Sequence, residues 1–378
     1  MPFTQEDEIV SEALAQAESA EKQARLAKFF DQHHLNAILL RQSQNIAWAT
    51  GGRVDARVLI PSDTWATSIL LTRDGRKFYL APRNEGPRLA AEEFAGLGYE
   101  PILSPWYDDD WVAAAQKLVG SVEVGTDIST PGFIPVNLKP LRASLTEAEI
   151  ARYRWLGRKT AEVTAAVLQE LEPGITEYEM EALSSDGLLC EGILPSVLLM
   201  AVDSRIMKFK HAVARGATLE RYGMLNLCAR KWGLAISITR FVHVGEMPSD
   251  LAERFVSSAR VNAALLDATR LGATSSVLFK TAQEAYAAEG YPGEEEFHHQ
   301  GGATGYGERE WLATPKGREA VENCQAFAWN PSIRGGKVED TVLLKDGAIE
   351  ALTATPELPV VETERNGTTY RSAGVLVK

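Results

Sequence analysis

The chain has 378 residues, 45% of them hydrophobic and 24% charged. That length suits two domains, and that composition excludes a disordered or low-complexity polymer. Thirty-nine basic against 51 acidic residues leave a formal charge of −12, which opposes a nucleic-acid partner, because such binding rests on neutralising phosphates with Lys and Arg. Residues 1–8 have no basic segment followed by an apolar one, and no apolar run approaches the roughly 18 residues of a membrane span. Three scattered cysteines, Cys190, Cys228 and Cys324, show no CxxC spacing. The expectation is a reduced, cytoplasmic protein without membrane attachment.

Val10, Leu14, Ala17, Leu26 and Phe29 recur at helical spacing, so residues 6–30 are expected to form an amphipathic helix. Strands are expected at 35–40, 67–72 and 77–80, the last two joined by the turn at 73–76 as a hairpin. A helical stretch at 88–94, a strand at 99–103 and a helix at 111–119 complete a small α/β domain. Pro135 and Pro140 bracket a linker with little periodicity, so the boundary is set at 143/144. Two overlapping capping-box patterns, from Ser144 to Glu147 and from Thr146 to Glu149, then start a long helix running to about Leu171. Pro173-Gly174 stops it, and Thr176 caps a second helix over 177–189. Strands at 223–229, 233–244, 325–330 and 337–344, with helices at 252–271 and 275–288, describe an α+β domain.

The chain has six histidines. His33 and His34 suit a helix end, and His243 a strand end. His211 lies in a polar connection, where functional side chains concentrate. His298 and His299 precede Gly301, Gly302 and Gly305 after the acidic run Glu294-Glu295-Glu296. Glycines there allow a ligand to approach the backbone, but they lack the strand-then-helix context of a nucleotide loop. A solvated acidic loop with two incidental histidines is the alternative.

Taken in order, His211, the segments 225–227 and 237–240, the stretch from His298 to Arg309-Glu310, Ala328-Trp329-Asn330-Pro331 and Lys337-Val338-Glu339-Asp340-Thr341 resemble the creatinase, prolidase and aminopeptidase P family. The resemblance covers nearly the whole chain. It implies an α/β N-terminal domain (1–143) followed by an α+β pita-bread C-terminal domain (144–378), and a homodimer in which the small domain of one protomer lies near the other's site. The family's metallopeptidases hold two divalent ions with two aspartates, one histidine and two glutamates. The matching positions here are Asn226, Ser237, Gly302, Asn330 and Glu339, with the eleven-residue step from 226 to 237 kept. Hard divalent ions need anionic oxygen ligands, and one carboxylate, even with an imidazole borrowed from His298 or His299 in place of Gly302, cannot hold a pair of them. No metal and no other cofactor is therefore expected.

By likeness to creatinase, the metal-free member, His211 would be general base and acid. Glu339 would orient substrate or water, Arg309 would grip a substrate carboxylate with its planar fork, and His298 would contact substrate. Arg53 and Arg57 would reach the neighbouring protomer's site. Thr239 stands where creatinase has the glutamate that holds a guanidinium, which argues against creatine. The implied activity is metal-independent hydrolysis of a C–N bond in a small carboxylate-bearing molecule. The alternatives are a metallopeptidase with unusual ligands and a noncatalytic binding protein of the same fold.

Overall fold

The computed structural model describes residues 9–60, 62–120 and 123–378; the start of the first expected helix, 6–8, lies outside them. The chain divides into two compact units, Met1–Arg152 with Trp232–Leu234, and Tyr153–Lys231 with Ala235–Lys378.

The first unit opens with helix α1 (Glu12–His33), whose N-cap Ser11 accepts a hydrogen bond from the Leu14 N–H and whose C-cap His34 turns left-handed at φ 55°. Strand β1 (Ala37–Gln42) leads into a short helix α2 (Ser43–Ala49) that the sequence pattern did not announce. Strands β2 (Thr64–Thr72) and β3 (Lys77–Pro82) form the expected hairpin. The helical stretch expected at 88–94 is a turn, Gly86–Arg88, running into a single π-helical turn, Leu89–Glu93. With β4 (Glu100–Ser104), β5 (Val124–Thr126) and β6 (Ile134–Pro135) the sheet order is β4-β3-β2-β1-β5-β6. Helix α3 (Trp111–Val119) starts on Asp110, whose carboxylate accepts from the Ala113 N–H; its Ala115 packs with Leu39, Leu70, Phe78 and Leu80.

Helix α1 departs from the apolar stripe expected of it, for its buried residues include Glu18 and Lys22. Lys22 Nζ lies 2.7 Å from Glu18 Oε1 and 2.8 Å from Glu149 Oε1, and Arg152 Nη2 lies 2.9 Å from Glu18 Oε2. Two carboxylates and two cations thus neutralise one another away from water, so a charged face can be a core face.

The second unit contains most of helix α4 (Glu147–Glu170), which begins on a capping box: the Thr146 N–H donates to Glu149 Oε2 at 2.7 Å and the Glu149 N–H to Thr146 Oγ1 at 3.3 Å. Helix α5 (Glu177–Cys190) begins on another, from Thr176 and Glu179. Strand β7 (Leu194–Val202), absent from the sequence expectation, pairs antiparallel with β8 (Tyr222–Lys231). Adding β9 (Leu234–His243) and the terminal β19 (Leu376–Val377) gives the order β19-β9-β8-β7. A second sheet runs β11-β10-β12-β15-β16, from Trp311–Leu312, Gly301–Thr304, Gln325–Trp329, Asp340–Lys345 and Ala348–Ala351 respectively. Helices α6 (Ser249–Ala268) and α7 (Ser275–Ala288) cover it through Val261, Leu265, Leu278 and Ala282 against Phe327 and Trp329. The chain is thus an α/β unit followed by an α+β unit. Among the described residues no helix is long and apolar enough to cross a membrane.

Strand β10 overturns the reading of 294–306 as a solvated loop, because Gly301–Thr304 is wholly buried. Gly301 has φ 98°, and a Cβ on Gly301 or Gly302 would overlap the carbonyl oxygens of Ala328 and Trp311 respectively. Backbone packs where side chains would otherwise stand, which makes these glycines a requirement of the sheet.

Replacing Arg152 by Met removes one of the two cations held against the buried Glu18 carboxylate. The expected loss is about 3 kcal/mol of unfolding free energy, read as a lower midpoint in urea. An unchanged midpoint would show that the cluster contributes nothing.

Candidate functional site

Strands β8 and β9 carry Asn226 and Thr239 to the carboxylate of Glu339, which immediately precedes β15 and is 3% exposed. Its Oε2 accepts from Asn226 Nδ2 at 2.9 Å and Thr239 Oγ1 at 2.6 Å, and pairs with Lys337 Nζ at 2.9 Å. Its Oε1 accepts from Arg309 Nη2 at 3.2 Å and Asn330 Nδ2 at 3.3 Å. Asn226 and Thr239 are within hydrogen-bonding distance because alternation along β8 and β9 turns them to one side, and Asn330 follows the end of β12. Burial alone would raise the pKa of Glu339, but the Lys337 ammonium and Arg309 guanidinium, helped by Thr239, hold it down at about 2.

Ser237 Oγ accepts from Arg309 Nη1 at 3.0 Å and lies 3.2 Å from Cys228 Sγ. Burial, with Glu339 adding to it, pushes that thiol up to about 11, so Cys228 is no nucleophile at neutral pH. Thr239, expected at the substrate, is instead buried at 3% exposure and donates to Glu339. Its short hydroxyl reaches the neighbouring carboxylate, which a glutamate at 239 would repel. Gly302 has no space for a ligating side chain, as β10 shows. Arg53 and Arg57 belong to the first unit. Both are exposed, with Arg57 Nε 3.2 Å from Asp55.

His211, exposed in the connection before β8, faces His298, with the two Nε2 atoms 2.6 Å apart. One imidazole must donate to the other at that distance. His299 joins them, and one ring nitrogen from each of the three lies within 4.8 Å of the others. Burial, then the fields of Lys337 and neighbouring imidazoles, lower His298 to about 2. Burial and Arg309 lower His299 to about 4. His211 is lowered by burial, then by Lys337, with Glu339 opposing. All three are therefore neutral at pH 7.

Two devices fix this geometry. Lys210 Nζ sits 2.8 Å from Glu294 Oε2 and donates to Ser332 O at 2.9 Å, bolting the His211 connection to the turn that precedes His298. The fully buried Arg240 donates through Nη1 to the carbonyls of Thr239 and Glu339 at 2.8 and 3.2 Å and pairs with Asp340 at 2.6 Å, so the backbone behind the carboxylate is pinned. Sequence reasoning assigned no role to Lys337 or Lys210, and considered His299 only, with His298, as a substitute metal ligand in place of Gly302. The signal for Lys337 was its place two residues before Glu339, which on a regular strand shares a face.

The sequence model of metallopeptidase family M24 matches residues 151–346, more than half of the chain. A protein of Mycobacterium tuberculosis named "Probable dipeptidase PepE" is 25% identical over 328 residues, covering 78% of this chain and 85% of that one. Among solved structures, the dipeptidase PepE of Mycobacterium ulcerans superposes with a TM-score of 0.74 at 20% identity, covering 90% of this chain and 96% of the other. The Xaa-Pro dipeptidase of Bacillus anthracis gives 0.73 at 18% identity, covering 95% and 100%. These likenesses establish the pita-bread fold.

An imidazole neutral in the fold and protonated in the unfolded chain makes unfolding take up protons. Stability is therefore expected to be flat above pH 6.5 and to fall below it through His299 and His298 together, the His299 contribution ending near 4 and the His298 contribution near 2. Glu339, depressed from 4.5 to about 2, adds to the loss only below 4.5. Urea titrations at pH 5 and 7 read this, and His299→Gln should lessen the slope between them without abolishing it, because His298 and His211 remain. Lys210→Met should separate the imidazoles and remove their shared downfield proton from the NMR spectrum without changing the far-ultraviolet circular dichroism.

Proposed function

Because the chain belongs to metallopeptidase family M24, we propose that it is a hydrolase of a C–N bond in a small carboxylate-bearing molecule, acting without the divalent pair of the family's metallopeptidases. The observation that carries this reading is the saturation of Glu339. Both of its oxygens are engaged by five donors, two of them cations. At the positions matched to metal ligands, Asn226, Ser237 and Asn330 are neutral, and Gly302 offers no side chain. Four added positive charges would meet one carboxylate whose charge is already offset, so these residues do not fit the metal pair.

The proton chemistry falls to His211. With its Nε2–H donated to His298 Nε2, the His211 Nδ1 lone pair is free to take a proton from water as that water attacks the substrate carbon. The resulting imidazolium returns the proton to the departing nitrogen. His298, held at about 2, stays neutral while its neighbour is charged. It therefore serves as an orienting acceptor, with its hydrogen bond strengthened in the charged state. Arg309 offers its guanidinium to the substrate carboxylate. Arg53 and Arg57 remain in the proposal as substrate-binding residues supplied across a homodimer.

The cluster of three imidazoles favours the metallopeptidase alternative, since neutral histidines ligate metals well. Against it stand Lys337 and Arg309, whose positive fields already lower those same imidazoles.

The test is turnover of a panel of N-acyl amino acids and dipeptides by protein purified without added metal. Activity should survive chelator, and His211→Ala should lower kcat by at least about 100-fold while the protein stays folded. The rising limb of kcat/KM should lie below pH 6.5, because burial lowers the base. Two equivalents of manganese, cobalt or zinc per chain, or activity abolished by chelator, would overturn the proposal. Ligand stabilisation with no turnover anywhere in the panel would make this a binding protein.

A further inference from the structure

The unfilled hydrogen-bonding groups around Glu339 and the imidazoles describe their missing partner. The Arg309 Nε–H, His298 Nδ1, His299 Nδ1 and Asn330 Oδ1 are buried without a partner, although Arg309, His298 and Asn330 are each fixed at the other end on Glu339 or His211. Asn330 is 2% exposed and His298 9%, and buried polar groups of this kind are normally satisfied. In the proposed arrangement, where His298 Nε2 accepts from His211, His298 Nδ1 carries hydrogen, so it and Arg309 Nε–H are donors, Asn330 Oδ1 is an acceptor, and His299 Nδ1 takes either role with its tautomer.

Charge narrows the chemistry. At Glu339 one anion meets two cations, while the surrounding charges pair among themselves, Lys210 with Glu294 and Arg240 with Asp340. In direct contact with this carboxylate the cations outnumber the anion, an imbalance that an anionic ligand offsets and a dication increases.

Resting on the hydrolase reading, we infer that the pocket selects a carboxylate with a neighbouring amide N–H. The substrate class is an N-acyl amino acid whose scissile amide is secondary, with Lys337 as the charge that sets affinity and Asn330 as the acceptor of the amide hydrogen. Arg309 Nη2 and Asn330 Nδ2 both donate to Glu339 Oε1, so the two side chains converge on one atom, and an N-acyl amino acid likewise carries its carboxylate and N–H on neighbouring positions. An amide on a proline nitrogen has no hydrogen to give and leaves Asn330 Oδ1 unsatisfied.

Calorimetric binding to the full-length His211→Ala chain, which the hydrolase reading makes inert, tests this apart from turnover. N-acetylglycine, N-acetylproline, acetate and inorganic phosphate are the probes. N-acetylglycine is expected to bind at least about tenfold tighter than N-acetylproline, with phosphate weakest. Lys337→Met should weaken both acyl amino acids about tenfold or more while Lys337→Arg restores them. Asn330→Leu should erase the preference for glycine over proline and leave acetate unchanged. Equal binding of the two acyl amino acids by the chain with Asn330 and Lys337 intact overturns the inference even if the substituted proteins fail to fold. So does zinc binding to the imidazoles without any carboxylate binding. Should wild-type protein hydrolyse nothing while the glycine preference holds, the hydrolase reading fails and the recognition survives.

Discussion

A buried carboxylate whose charge is met from within the protein governs this molecule. Glu339 lies beneath β8 and β9 with an ammonium on one oxygen and a guanidinium on the other, and Asn226, Thr239 and Asn330 fill what remains of its hydrogen-bonding capacity. Desolvating three charged groups is expensive unless they are held at contact distance. Surrounding residues are accordingly arranged to keep the carboxylate ionised at every physiological pH. Burial, joined by the same two cations, keeps the nearby imidazoles neutral, so the charges that hold Glu339 ionised also bear on the protonation of the histidines beside it.

That arrangement needs a stiff support, and the fold supplies it from two sides. Behind the carboxylate, Arg240 reaches the main chain of Thr239 and Glu339 and closes on Asp340, Thr353 and Thr355. On the rim, Lys210 joins two connections that are far apart in sequence but carry His211 and His298. Both supports use a cation with several acceptors, which fixes position more tightly than apolar contact alone.

Where the sequence wrote its structure in local terms, it was legible. Capping boxes at Thr146 and Thr176 marked helix starts, and the Arg73–Arg76 turn marked a hairpin, because those signals lie within a few residues of one another. The residues around Glu339 were reachable through spacing and family resemblance. Strand β7 was missed because its partner is supplied by distant chain, and β10 because Gly301-Gly302 reads as a turn until backbone packing on both flanks is known. The buried face of α1 was misjudged since Glu18 and Lys22 look solvent-facing without Glu149 and Arg152 opposite them. Lys337 lay inside a quoted landmark with no role attached, because its function depends on a contact with Glu339 that only the folded strand defines.

The tight seam at Gly301 and Gly302 constrains more than packing. With neighbouring carbonyls filling the space where side chains would begin, neither an imidazole nor a carboxylate can be introduced at position 302 without a new register between β10, β11 and β12. Whatever this protein binds, position 302 can contribute backbone only.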